Sequence, residues 1–255
     1  MRPSRGLVLR PVEITAAAFC AALYAGLGYM AWLGLVCPVI GVVRFWPVVV
    51  VPAVFATLFG PLVGALGAAV GIFISDILIH GDPLLSLLVG VPANFAGFYV
   101  VGWLSRREIG PERTALASGL ATLVLLGAIS ASESAGLITS EVGLIFLAVC
   151  LVSFFIIMAA LVAAPKWSSY HVACTLGLLL GSAIIGLGVW AYSQFFVLPK
   201  AVGGGFRLPI WAALWWFTWT FLTEIPFMLV LGPPIVEACL RAHPTLARGA
   251  RVEQR

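Results

Sequence analysis

Charge is what this sequence has least of. Asp, Glu, Lys and Arg make up 9% of its 255 residues, whereas 62% are hydrophobic, and the mean hydropathy is +1.12. Soluble domains carry about 25% charged residues and about 45–50% apolar ones. No soluble core of this size buries so much apolar surface, so lipid must be the solvent for most of the chain. That excludes a soluble enzyme, a nucleic-acid-binding domain and a disordered protein. The net charge of +4 does not reverse this, because the basic residues lie at the ends of apolar runs. Other absences narrow the chemistry. The five cysteines (Cys20, Cys37, Cys150, Cys174, Cys239) have no CxxC spacing and read as small buried hydrophobes, with no zinc or haem site. There is no GxxxxGK[ST] phosphate loop, so the chain does not hydrolyse ATP by that route. Ser132 and Ser134 have no His or Asp arrangement for nucleophilic catalysis, and no internal repeat argues for an inverted-repeat transporter. No catalytic residue, metal or cofactor is expected.

What is present is a series of uncharged runs at membrane-spanning length: 14–43, 45–75, 83–105, 114–132, 142–165, 167–199 and 208–223. A spanning helix needs about 20 apolar residues. A transmembrane β-barrel would show alternating strands of about 10 residues, and these runs are continuous and rich in Ala, Gly and Leu. The expectation is an all-α polytopic membrane protein with eight helices, at about 12–36, 45–59, 62–80, 84–105, 113–132, 141–164, 171–198 and 209–239. The second is short, and Gly60-Pro61 turns it into the third. The basic, then apolar, N-terminus resembles a signal peptide but runs on too long, and reads as the first helix. With the N-terminus in the cytoplasm, Arg2, Arg5, Arg10, Arg106, Arg107, Arg113, Lys166, Arg241, Arg248, Arg251 and Arg255 face in. Only Arg44, Lys200 and Arg207 face out. The positive-inside rule favours that orientation and an even number of spans. Residues 1–240 form one transmembrane domain, and 241–255 a basic cytoplasmic tail able to rest on anionic lipid.

Small residues mark two helix faces. The first helix carries Ala17, Ala18, Ala21, Ala22 and Ala25, with Gly28 on the same side; the third carries Gly64, Ala68, Gly71 and Ser75. Small faces let helix backbones approach closely. The third-helix face reads as packing within the bundle. The first-helix face suits either internal packing or docking onto another protein.

Polar side chains inside a bilayer are costly and are functional candidates by default. Glu224 stands in the last helix, just before Pro226, with Thr220 and Thr223 near it. It reads either as a group that contacts substrate or a coupling proton, or as a structural carboxyl paired with Asn94. Asn94 follows Pro92 at mid-depth of the fourth helix, for interhelical bonding or substrate contact. Asp76, His80 and Asp82 cluster at the outer end of the third helix and the loop after it, and Asp76 and His80 share a face at i, i+4; they read either as ligand capture at the outer mouth or as a solvated loop with local capping, and are too few ligands for a metal site. Trp211, Trp215 and Trp219, with Trp216 alongside, form either an interfacial belt or, since Trp219 lies deep, a stacking wall for a flat ligand that Trp46 and Trp190 can join. The loop KAVGGGFR (200–207) is a connector or an outer lid.

The first helix, AAAFCAALYAGLGY (16–29), is similar to the first helix of the substrate-binding S components of energy-coupling factor transporters. There, an AxxxA pattern docks onto a transmembrane coupling subunit. The matching positions are Ala17, Ala21 and Ala25, or Ala18 and Ala22. FGPLVGALGAAVGIFISDIL (59–78) resembles the family's Gly-Pro-led passage between its second and third helices, and IPFMLVLGPPIVEACL (225–240) resembles its last helix more loosely. S components have six helices, so an extra hairpin is expected at 113–164. The resemblance implies a high-affinity binder of a vitamin or similar micronutrient in a prokaryotic plasma membrane, working with a coupling membrane subunit and two ATPase subunits. Asp76, Asn94, Trp216, Trp219 and Glu224 are the expected substrate-binding residues. Two other readings stand beside this one. A self-sufficient secondary transporter would use Glu224 as its proton carrier, and a membrane scaffold or sensor would use the small-residue faces for interaction alone.

Overall fold

The computed structural model describes residues 9–36, 39–40, 43–136 and 138–243. Each of the eight expected segments contains a helix. α1 is Pro11–Trp32, α2 Val50–Phe59 and α3 Pro61–Ile79. A short α4 (Pro83–Leu85), a π-helical turn (Ser86–Gly90) and α5 (Val91–Leu104) run on as one continuous helix. α6 is Pro111–Ser134, α7 Ser140–Ala163, α8 Ser168–Ser193 and α9 Trp211–Ala242. Among the described residues, seven helices are long and apolar enough to cross a membrane. Their outward faces fit that solvent: Phe19, Leu116, Leu123, Leu144, Phe155 and Val162 are 63–87% exposed. In water, so much exposed apolar surface would drive aggregation.

The eighth segment departs from a full span. Its helical part, Pro47–Phe59, has 13 residues, about 20 Å at 1.5 Å per residue, against about 30 Å of hydrocarbon. The preceding chain holds a two-residue antiparallel ladder, Val39–Ile40 with Val43–Arg44. Trp46 then donates its N–H to the Thr223 carbonyl of α9 at 3.1 Å, half-way along that 32-residue helix. Helix α2 therefore starts beside the middle part of α9. Non-helical backbone at that level is tolerable only where it is buried in protein or lines a cavity.

Glycines set the closest approaches. A Cβ on Gly67 would meet Ala17 and Cys20, one on Gly71 would meet Ala21 and Tyr24, and Gly28 faces Ser75. Both helices count upward through these contacts, so α1 and α3 lie parallel. The start of α3 therefore lies at the same end of the bundle as the start of α1, and α2 leads into it. Gly60 makes the turn into α3 at φ +117°, a left-handed value that favours glycine. The Arg106 guanidinium covers it and donates to the Leu58 carbonyl at 3.0 Å.

This packing corrects the docking face. Ala21 and Ala25 are each 5% exposed and, with half-buried Ala17, pack inward within the bundle, where α3 offers Gly67 and Gly71. They are not open to a partner. Ala18 and Ala22, with Gly26, form a separate stripe on the exposed side of α1. At the other terminus, α9 continues through Ala242, and Arg241 pairs there with Glu237 at 2.6 Å. The expected tail beyond residue 243 lies outside the described residues.

Candidate functional site

One large cavity opens within the bundle, with a volume of about 830 Å³. It is walled by α1, Trp46, α3, the α4–α5 helix, α8, residues 200–203 and α9. No residue of α6 or α7 lines it. That hairpin, the segment expected as an addition to a six-helix core, packs outside the cavity, and its Phe146 backs the wall at 5.6 Å from Trp219.

All five expected binding residues face this one space: Asp76, Asn94, Trp216, Trp219 and Glu224. Trp46, Trp215 and residues 200–203 of the loop face it too. Trp190 and Trp211 do not, and Trp211 is 53% exposed at the start of α9, as a belt residue would be.

Two hydrogen-bonded groups organise the wall. The first is at mid-depth. The Tyr24 hydroxyl donates to Asn94 Oδ1 at 3.0 Å, and Asn94 Nδ2 donates to the Gly90 carbonyl at 3.0 Å. Asn94 is therefore not the partner of Glu224. Pro92, which has no N–H, follows the π turn directly, and the asparagine amide ties that turn to α1. Thr223 bonds its own helix, donating to the Trp219 carbonyl at 2.9 Å. Among the described residues, no hydrogen bond or ion pair reaches the Glu224 carboxylate.

The second group closes the end of α3. Ser86 Oγ donates to Asp76 Oδ2 at 2.6 Å, and His80 Nε2 stands 3.6 Å from Asp76 Oδ1. The Asp82 N–H donates to His80 Nδ1 at 3.2 Å, so the imidazole proton sits on Nε2, facing Asp76. Asp82 accepts from the N–H groups of Leu84 and Leu85, each at 3.1 Å, and from the Tyr192 hydroxyl at 2.7 Å. Partial burial pushes the Asp82 carboxyl up, but these hydrogen bonds and the neighbouring His80 outweigh it and hold the group below its ordinary value. Asp82 thus supplies local capping, at the start of α4, and also pins α8 to it through Tyr192.

The loop after α8 is tied down as well. Gln194 Nε2 donates to the Leu208 carbonyl at 2.9 Å, Leu208 N–H to Ser193 Oγ at 3.2 Å, and Leu198 N–H to the Gly205 carbonyl at 2.8 Å. Those bonds end α8 at Ser193, short of residue 198. Gly203, Gly204 and Gly205 all take positive φ, which lets the loop fold back over Trp216.

Comparison with known protein families, curated proteins and solved structures finds no match. The geometry therefore has to carry the functional reading alone. Pocket volumes of about 300–1,000 Å³, apolar walls and a few convergent polar groups are what small organic ligands need.

Tyr24 and Ser182 line the cavity and were not legible as site residues. Tyr24 sits in a helix read for its alanines, and a buried phenol among small residues was its available signal. Ser182, 0% exposed with an unpartnered Oγ, looks in sequence like any helical serine.

Proposed function

We propose that this multi-pass membrane protein is the substrate-binding subunit of a micronutrient uptake system in a prokaryotic plasma membrane. It would be energised by a separate coupling membrane subunit and two ATPase subunits. The observation that carries the reading is the cavity: one ligand-sized space onto which two carboxylates, an amide and a tryptophan wall converge. In this reading both termini are cytoplasmic, eight passes include the half-helical stretch 33–59, and the end of the cavity bearing His80 and Lys200 faces outward. The ligand enters there, and the subunit reorients against its coupling partner to release it inward. The exposed stripe Ala18, Ala22 and Gly26 is the surface for that partner.

Affinity purification from the native host, with mass spectrometry of everything retained, tests this. A coupling membrane subunit, two ATPases and a stoichiometric small molecule are expected. A chain recovered alone and empty sinks the proposal. Paired substitutions separate the two surfaces. Ala22→Trp should abolish partner recovery with ligand affinity nearly intact, and Trp219→Ala should weaken the ligand and spare the partners. Equal loss of ligand in both variants would refute that division.

The unpartnered Glu224 supports a second reading, a proton-coupled transporter that works alone. Purified chain in liposomes would then accumulate substrate under a pH gradient, and Glu224→Gln would abolish it.

A further inference from the structure

The two carboxylates of the cavity differ in standing. Asp76 is engaged: Ser86 donates to one oxygen at 2.6 Å and His80 stands 3.6 Å from the other. Glu224 is not, and among the described residues no Lys, Arg or His comes within 4 Å of its carboxylate. The nearby hydroxyl of Thr223 is spent on its own helix.

Aromatic side chains line the same cavity as Glu224. Trp219, five residues earlier on α9, faces the same cavity, as does Tyr24. The bond from the Trp46 N–H to Thr223 brings that indole's backbone to the turn of Glu224 itself. Trp219 packs against Trp215 and Phe146, with ring centroids 4.9 and 5.6 Å away.

A carboxylate turned into a largely apolar cavity, with no cationic side chain of the described residues within ion-pair distance, loses solvation and gains little in return. A ligand that brings the missing positive charge repairs this at the moment of binding. A metal ion fits poorly: no group of three or more His, Cys, Asp or Glu gathers among the described residues, and the space is far larger than one ion. An organic cation fits both features. Its charge pairs with the carboxylate, and its carbon shell meets indole and phenol faces, which attract weakly hydrated ring or quaternary nitrogens.

We propose that the cavity takes an organic monocation, with its charged ring or quaternary nitrogen against Glu224 and its body among Trp46, Trp219 and Tyr24. This rests on the reading of the cavity as a small-molecule site and names the ligand class. Selectivity then follows from charge. Neutral analogues leave Glu224 unpaired, and anions are repelled by it.

The test uses the purified full-length chain in detergent and four aromatic compounds of similar size. 1-Methylnicotinamide and benzyltrimethylammonium are cations, nicotinamide is neutral and nicotinate is an anion. Affinities are read by titration calorimetry. The cations should bind on the order of 10- to 100-fold more tightly than nicotinamide, with nicotinate weakest. Glu224→Gln should erase that preference, and Glu133→Gln, on an exposed residue of α6 outside the cavity, should keep it. The wild-type ranking stands even if the Glu224 variant fails to fold. Wild-type protein that ranks nicotinamide or nicotinate first overturns the charge assignment and leaves the binding reading standing. Binding of none of the four also overturns it, and the binding reading then falls or survives on whether a molecule co-purifies from the host.

Discussion

At the residue scale, the site depends on hydrogen bonds that cross between helices. Tyr24 reaches Asn94 from α1, and Asn94 reaches the π turn. Tyr24→Phe removes the donor and leaves Asn94 Oδ1 unpaired. In water-soluble cores such a loss costs about 1–3 kcal/mol, whereas interhelical bonds in membrane bundles average about 0.6 kcal/mol. Because Asn94 borders a cavity that can admit water, a destabilisation near the lower figure, about 1 kcal/mol, is expected in a thermal unfolding assay in detergent. Asp82 gives a pH-dependent counterpart. Its folded pKa is depressed, so its contribution is present above the unfolded value and disappears as pH falls through the folded one. Asp82→Asn should therefore lower Tm at neutral pH, and the gap from wild type should close in acid, below the ordinary aspartate range. A gap that widens in acid would contradict the assignment. Glu224, Asn94 and Asp76, which share the cavity lining, stand out in the sequence as candidates because single polar groups are conspicuous in apolar runs. Hydroxyls such as Ser182 do not, because a serine can bond its own helix anywhere.

At the element scale, glycines decide which helices touch. A Cβ on Gly71 would lie 2.9 Å from the Ala21 carbonyl oxygen, and backbone cannot step aside as a flexible side chain can. Gly71→Ala should push α1 away and cost about 1–3 kcal/mol. It should also weaken ligand binding, because the displaced helix carries Tyr24. Gly26→Ala is the control on the same helix: nothing lies within 4 Å of a Cβ there, and stability should hold or rise by up to about 1 kcal/mol. If the two substitutions melt alike, close packing of α1 on α3 is wrong. The two alanine stripes of α1 show where sequence reading stops. Ala17 and Ala18 differ by one position, or 100° around the helix, and periodicity gives both faces without saying which meets α3. Packing on Gly67 and Gly71 decides it. The short α2 escapes the same way: the uncharged run 45–75 gives apolar length, but only the bond from Trp46 to Thr223 reveals that its helix begins beside the middle part of α9.

At the scale of the whole molecule, the parallel pairing of α1 and α3 bears on the proposed eight passes more directly than helix length does. If residues 33–60 did not cross, α3 would have to run antiparallel to α1, and Gly67, Gly71 and Ser75 could not meet Ala17, Ala21 and Gly28 in ascending order. Length alone points to seven spans, an odd number that would put the termini on opposite sides. The eight-pass reading counts the stretch that holds α2 as a further pass, with both ends on one side, in keeping with the charge distribution. The two arrangements differ at accessible turns. Gly34 follows α1 and Gly81 follows α3, and both have open space around them. In the eight-pass arrangement they lie on the same face of the membrane; in the seven-pass one they lie on opposite faces. Single cysteines at these positions, in a chain with its five native cysteines replaced by serine or alanine, can be labelled with a membrane-impermeant maleimide on intact cells. Gly34→Cys, Gly81→Cys and Gly204→Cys should all be labelled from outside, and Gly110→Cys only after permeabilisation. Opposite labelling of residues 34 and 81 would remove the eighth pass, and with it the parallel α1–α3 packing that puts Tyr24 within reach of Asn94.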